Sequence, residues 1–209
     1  MSENTVTLID LWELPEERID ESVERWRERV RLIHTAPGFR DARLHRRISS
    51  ESRFGLVNVA HWDSVEARDR ALSNPNFVAS AATAASYATV RGGWYRVVGE
   101  VRAERGGREG GAGVTLVVAF ESPAERVDEF PPHWLASGES LSTVPGFRDA
   151  RLHRAVAPDA RFPLVTVAHW DSLETWRTAV DDPGVQSWTA GLADAGVAHS
   201  GLFRIAAEF

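Results

Sequence analysis

The sequence repeats itself without a gap at an offset of 108 positions: Trp62 recurs as Trp170 and Pro37 as Pro145. The run from Pro37 to Arg46 returns letter for letter from Pro145 to Arg154, as does the run from Val59 to Ser64 at Val167 to Ser172. The match extends from Val6-Thr-Leu8, paired with Val114-Thr-Leu116, to Arg96 and Arg204. A chain built this way folds as two copies of one unit, which divides it into a first repeat (1–103), a Gly-rich linker (104–113) and a second repeat (114–209). Gly-rich chain spans only about 5–6 Å × √n on average, so the linker is expected to keep the halves close.

Each copy reads β-α-β-β-α-β. Val6 to Trp12 is an apolar strand, and Ile19, Val23, Trp26, Val30 and Ile33 place one apolar stripe on a helix ended by Pro37-Gly38. Phe39 to Ile48 and Phe54 to Trp62 form a hairpin around a polar turn at Ser49 to Arg53. Asp63-Ser64 caps a second helix, broken at Asn74-Pro75 and resumed through Ala85, and Gly93 to Val101 closes the unit as a strand. This is an α+β, ferredoxin-like order, which covers one sheet face with helices and leaves the other bare. A second copy supplies the missing cover, so the expected architecture is two ferredoxin-like repeats packed sheet-to-sheet as an internal pseudo-dimer, an intramolecular α+β barrel.

Inventory excludes several chemistries. With no cysteine there is no disulfide, iron–sulfur ligation or thiol nucleophile, and with no lysine there is no internal Schiff base. The net charge of −6, with arginines interleaved among carboxylates, argues against a nucleic-acid groove. No apolar run approaches the roughly 20 residues needed to cross a bilayer and the first ten residues lack a secretory pattern, so a cytoplasmic protein is expected. The histidines lack the spacings that present metal ligands from one helix, so no metal site is expected.

The strand Asn58-Val-Ala-His-Trp62 followed by Asp-Ser opening a helix resembles the antibiotic biosynthesis monooxygenase family of dimeric α+β barrels, over both halves of the chain. That resemblance implies an enzyme that oxidises anthrone-like or naphthol-like aromatic polyketides to quinones with O2 as cosubstrate and no flavin, haem or metal. It also implies that Asn58 and Trp62 form the family's Asn-x-x-x-Trp pair. The second copy departs from the pattern, with Thr166 in place of the asparagine while Trp170 keeps the tryptophan. Haem degradation, also found on this fold, is disfavoured because Val65 to Ala85 contains no histidine to hold the ring.

Strand side chains alternate, so Asn58, Ala60 and Trp62 share a face. The register that best buries apolar residues puts Ala42, Leu44, Val57 and Val59 between the sheets, leaving His45, Asn58 and Trp62 facing the helices beneath Trp26. In that arrangement Asn58 donates to a phenolate or carbonyl, His45 takes the phenol proton, Trp62 and Trp26 clamp the polycycle, and Tyr87 with Arg91 closes the mouth. Thr166 and Trp170 would line the second pocket. Each residue has a plainer reading: Trp62 and Trp170 suit core anchors, and His45, His61, His153 and His169 suit structural pairing. Two rival functions remain open, an aromatic polyketide cyclase that consumes no oxygen and a non-catalytic binder of an aromatic ligand. A further homodimer of the fused chain is also compatible with the sequence.

Overall fold

In the computed structural model, the structure describes residues 5–85, 88–104 and 113–209. Contacts group the chain into two units, Met1–Arg96 with Ile205–Phe209, and Val97–Arg204.

The first unit contains β1 (Val6–Glu13), α1 (Ile19–Arg31), β2 (Phe39–Arg47), β3 (Leu56–Trp62), α2 (Val65–Leu72), α3 (Pro75–Ala85) and the start of β4 (Thr89–Arg102). Ile19, Val23, Trp26 and Val30 recur at helical spacing on the buried side of α1, so burial of that stripe rather than propensity holds the helix. Gly38 turns the chain into β2 at φ +88°, where a Cβ would lie 2.5 Å from the Cβ of Ala67; glycine is required there twice over, for conformation and for space. The Ser64 hydroxyl accepts from Ala67 N at 3.2 Å and starts α2.

All ladders of this unit are antiparallel. β1 lies between β3 and β4, with Asp10 opposite Asn58 on one side and Gly92 on the other. β2 pairs with β3 so that Ala42 faces Ala60 and Leu44 faces Asn58, after a shift between Phe39 and Asp41. Ala42 also exchanges backbone bonds of 3.1 and 3.0 Å with Phe209, adding the chain's last residues beside β2. The core packs Trp26, Val30 and Ile33 on Ala42, Leu44, Ala60 and Trp62.

The second unit repeats this with β5 (Val114–Glu121), α4 (Ala124–Gly138), β6 (Phe147–Ala155), β7 (Leu164–Trp170), α5 (Leu173–Ala179), α6 (Pro183–Leu192) and β8 (Val197–Glu208). Its registers copy the first: Val118 faces Thr166 and Ser200, and Leu152 faces Thr166. Gly146 repeats the turn at φ +83°, and Ser172 with Thr175 completes a capping box. Both units thus carry the β-α-β-β-α-β order, so the expected α+β fold of two ferredoxin-like repeats is the fold observed.

Candidate active site

A cavity of about 260 Å³ lies within the first unit, walled by β1, β2 and β3 on the sheet side and by α1, α2 and α3 on the helix side. Most of its wall is apolar or aromatic, with Trp12, Trp26, Phe39, Trp62 and Phe77 supplying rings and Val90 standing at its edge. Trp62 is buried and held edge-on by Phe39, their ring centroids 5.2 Å apart. The alternation of β3 delivers Asn58, Ala60 and Trp62 to the cavity as a set, and the small Ala60 between the two larger side chains leaves the space open.

One end of the cavity is polar. Asn58 Nδ2 donates to Asp10 Oδ2 at 2.9 Å, the two residues standing opposite each other across the β1–β3 ladder. Asp10 sits in an apolar strand, and loss of water raises its pKa above the usual carboxylate range; the Asn58 hydrogen bond and the charges of Arg68 and Arg29 pull the other way without cancelling that effect. Gly92 makes room for this carboxylate, since a Cβ there would overlap Asp10 Oδ1. Arg29, buried on the apolar face of α1, reaches Ser80 O at 3.4 Å and lies over Trp12. Arg68 projects from α2 over the Trp94 ring at 4.5 Å and bonds Asp69. Among the described residues, Asn58 Oδ1 and Trp12 Nε1 are buried without a hydrogen-bond partner. An acceptor and a donor left unpaired in a cavity are costly unless a ligand or water meets them.

The structure brings Asn58, Trp62 and Trp26 together around this cavity but separates the other expected members. His45 is on the opposite face of the sheet: it stands across from Val57, and its Nδ1 faces Val57 O at 3.2 Å. A carbonyl can only accept, so Nδ1 carries the proton. The expected grouping of His45 with Asn58 therefore fails by one step of hairpin register, because Ala42 and Leu44 are claimed by the core beneath the helices instead. Arg91 is also displaced; it pairs with Leu11, one position out of phase with Asp10, and is exposed. Tyr87 lies outside the described residues. His61 bonds Asp41 at 2.8 Å and His169 bonds Asp149 at 2.9 Å, as suits structural pairing.

Sequence reading missed Asp10, Arg29 and Arg68. Asp10 had a signal: it is the one carboxylate inside the run Val6-Thr-Leu-Ile-Asp-Leu-Trp12, and the second copy has valine there. In the second unit Thr166 and Trp170 are fully buried, and the charged members of the set are absent: Val118, Ser137, Thr166, Trp176 and Ser200 stand where the first has Asp10, Arg29, Asn58, Arg68 and Gly92. Trp176 lies edge-on to Trp170 at 5.1 Å, Phe130 packs on Phe120 at 5.5 Å, and Trp188 is completely buried. The larger side chains of this copy, Phe130 for Ser22 and Trp188 for Ser80, are buried in its interior.

Among the described residues, no group of three His, Asp or Glu side chains stands close enough to hold a metal ion, and no helix is long and apolar enough to cross a membrane. The fold matches that of an anthrone oxidase-like protein at a TM-score of 0.77 and 18% identity, covering 100% of this chain and 94% of the other. A protein of Fusobacterium nucleatum described as a candidate monooxygenase matches at 0.72 and 8% identity, covering 100% and 95%. A chlorite dismutase of Candidatus Nitrospira defluvii matches at 0.62 and 10%, covering 99% and 93%, so this fold by itself does not define a reaction. No curated protein matches the sequence. The model of the antibiotic biosynthesis monooxygenase family matches twice, at residues 5–83 and 113–191, and the chain therefore belongs to that family as a tandem member.

Proposed function

We propose that the first-repeat cavity binds an electron-rich aromatic polyketide of the phenol or anthrone type and oxidises it with O2 to a quinone or hydroxylated product, without flavin, haem or metal. The observation that carries this reading is the cavity itself: aromatic walls for a flat polycycle, with the Asp10–Asn58 pair and two guanidinium groups at one end. Asn58 Oδ1 can accept from a phenolic hydroxyl, and Trp12 Nε1 can donate to a carbonyl or oxyanion. One of the two amide N–H donors of Asn58 already serves Asp10.

The chemistry asks little else of the protein. Ground-state oxygen reacts sluggishly with closed-shell molecules, and cofactors normally overcome this. An ionised phenol or anthrone is itself the reductant: it passes an electron to O2 and the pair recombines at carbon. The protein binds the substrate, favours its anion through nearby positive charge and keeps bulk water out. The test is turnover of 1,8-dihydroxyanthrone by chelator-treated protein in an oxygen electrode, with 18O2 traced into product. Oxygen uptake matched by one labelled atom in a quinone is expected. Cyclisation of a poly-β-ketone without oxygen uptake would instead make the protein a cyclase, and saturable binding without turnover would make it a carrier of aromatic ligands.

A further inference from the structure

We infer that Asp10 is the general base that takes the proton from the substrate, with Asn58 holding its carboxylate in place and the second repeat carrying no equivalent. The inference rests on the oxidation proposed above. Five positions argue for it together. Asp10 lines the cavity, Asn58 Nδ2 orients its Oδ2 at 2.9 Å, and Gly92 clears the space for its Oδ1. Arg29 and Arg68 supply positive charge on α1 and α2. In the second repeat all five are replaced at once, by Val118, Thr166, Ser200, Ser137 and Trp176, although the strand registers are unchanged. The second repeat keeps the same β1-type strand register with valine in place of this carboxylate, so the ladder itself does not require the charge.

A buried carboxylate in an apolar strand is costly to the fold, which favours a role outside stability. Burial raises the Asp10 pKa, bringing its basicity closer to that of an ionising substrate, while Arg68 and Arg29 resist full neutralisation. Among the described residues, the other titratable group interacting with Asp10 is Tyr95 on β4, buried and itself pushed to higher pKa, which stays neutral. With an anthrone, the methylene C–H bond breaks, its electron pair passes into the ring system as the enolate, and the proton goes to the Asp10 carboxylate. Oxygen accepts an electron from the enolate and recombines at that carbon, and Asp10 returns its proton to give the hydroperoxide. Asp10 then removes the second C–H proton; the carbonyl forms as the O–O bond breaks, and the leaving hydroxide takes the proton to become water. Four electrons leave the carbon, one oxygen atom enters the product and the other leaves as water.

Proton removal can be read without oxygen. Under nitrogen, 1,8-dihydroxyanthrone bound to the wild-type protein should show the long-wavelength absorption of its anion, and Asp10→Asn or Asp10→Val should bind the probe with that band absent. Valine is the residue the second copy tolerates at this position, so one variant of the pair keeps shape and the other keeps fold; circular dichroism checks both. Ser137→Ala, at the second-repeat position of Arg29, should leave the band as in the wild type. A wild-type protein that produces no anion band, or a folded Asp10 variant that produces it in full, overturns the assignment. Admitting air then separates the two proposals. Oxygen uptake should fall by about 10²-fold or more in the Asp10 variants. An anion formed under nitrogen but not consumed in air defeats the oxygenase reading and leaves the base; equal uptake by wild type and variants defeats the base and leaves the oxygenase.

Discussion

The two repeats share the strands of their central hairpin and the Pro-Gly turn and Ser cap beside it almost letter for letter, and differ in the side chains between helices and sheet. In the first, Asp10, Asn58, Arg29 and Arg68 gather at one end of a cavity; in the second, Val118, Thr166, Ser137 and Trp176 occupy the same positions, and Trp188 is fully buried. The opposite sheet face keeps its histidine contacts in both copies: His45 on Val57 O is matched by His153 on Val165 O, and His61 on Asp41 by His169 on Asp149. The lesson is a division of labour by face. The histidine contacts on that face answer to the fold and are needed twice, whereas the helix-side interior can carry a charged site in one copy and buried aromatic side chains in the other. Fusion permits this, because two halves of one chain need not be identical.

The largest effect should come from unpacking the filled repeat. Trp188→Ala removes a fully buried indole and should cost about 3–5 kcal/mol, read as a lower urea midpoint with the slope unchanged. A loss under about 1 kcal/mol would mean the second interior is not close-packed, and the contrast with the first would collapse.

Next is the asymmetry of the sites. Asn58→Ala should lower turnover by roughly 10²-fold, about 2.7 kcal/mol in barrier, and Thr166→Ala should leave turnover within a factor of about two. Equal losses would indicate two working sites. The constant face should behave oppositely: His45→Ala and His153→Ala each lose a buried hydrogen bond to a carbonyl, at about 1–3 kcal/mol, and should destabilise alike. If His45→Ala abolished turnover in protein that remained folded, the separation of the faces would be wrong.

The smallest effect is in pH. Because burial raises the Asp10 pKa above its ordinary 3.8, the folded state holds this proton more tightly than the unfolded state. That contribution favours folding below about pH 3.8 and is lost as pH rises from there through the folded pKa. Melting temperatures of wild type and Asp10→Asn, compared from pH 3 to 8, should therefore diverge upward in favour of the variant. Curves that stay parallel would show that Asp10 is not desolvated in the folded protein.

Much of this molecule was legible in its letters. The 108-residue offset determines that there are two units, the periodicities determine the β-α-β-β-α-β order, and alternation within β3 places Asn58, Ala60 and Trp62 on one face. These are properties of a single segment, carried by its own period of side chains, so no partner need be known. The relation between segments was another matter. Period two gives the phase of β2 but not which phase meets β3; the shift between Phe39 and Asp41 and the turn before β3 decide that, and they send His45 to the face away from Asn58. Asp10 became visible as a site residue only when β1 was laid beside β3 and β4, bringing Asn58 and Gly92 to its two sides from 48 and 82 positions along the chain. Local sequence sets which way a side chain faces along its own strand, but a buried charge takes its partners from strands and helices that only the folded chain brings together.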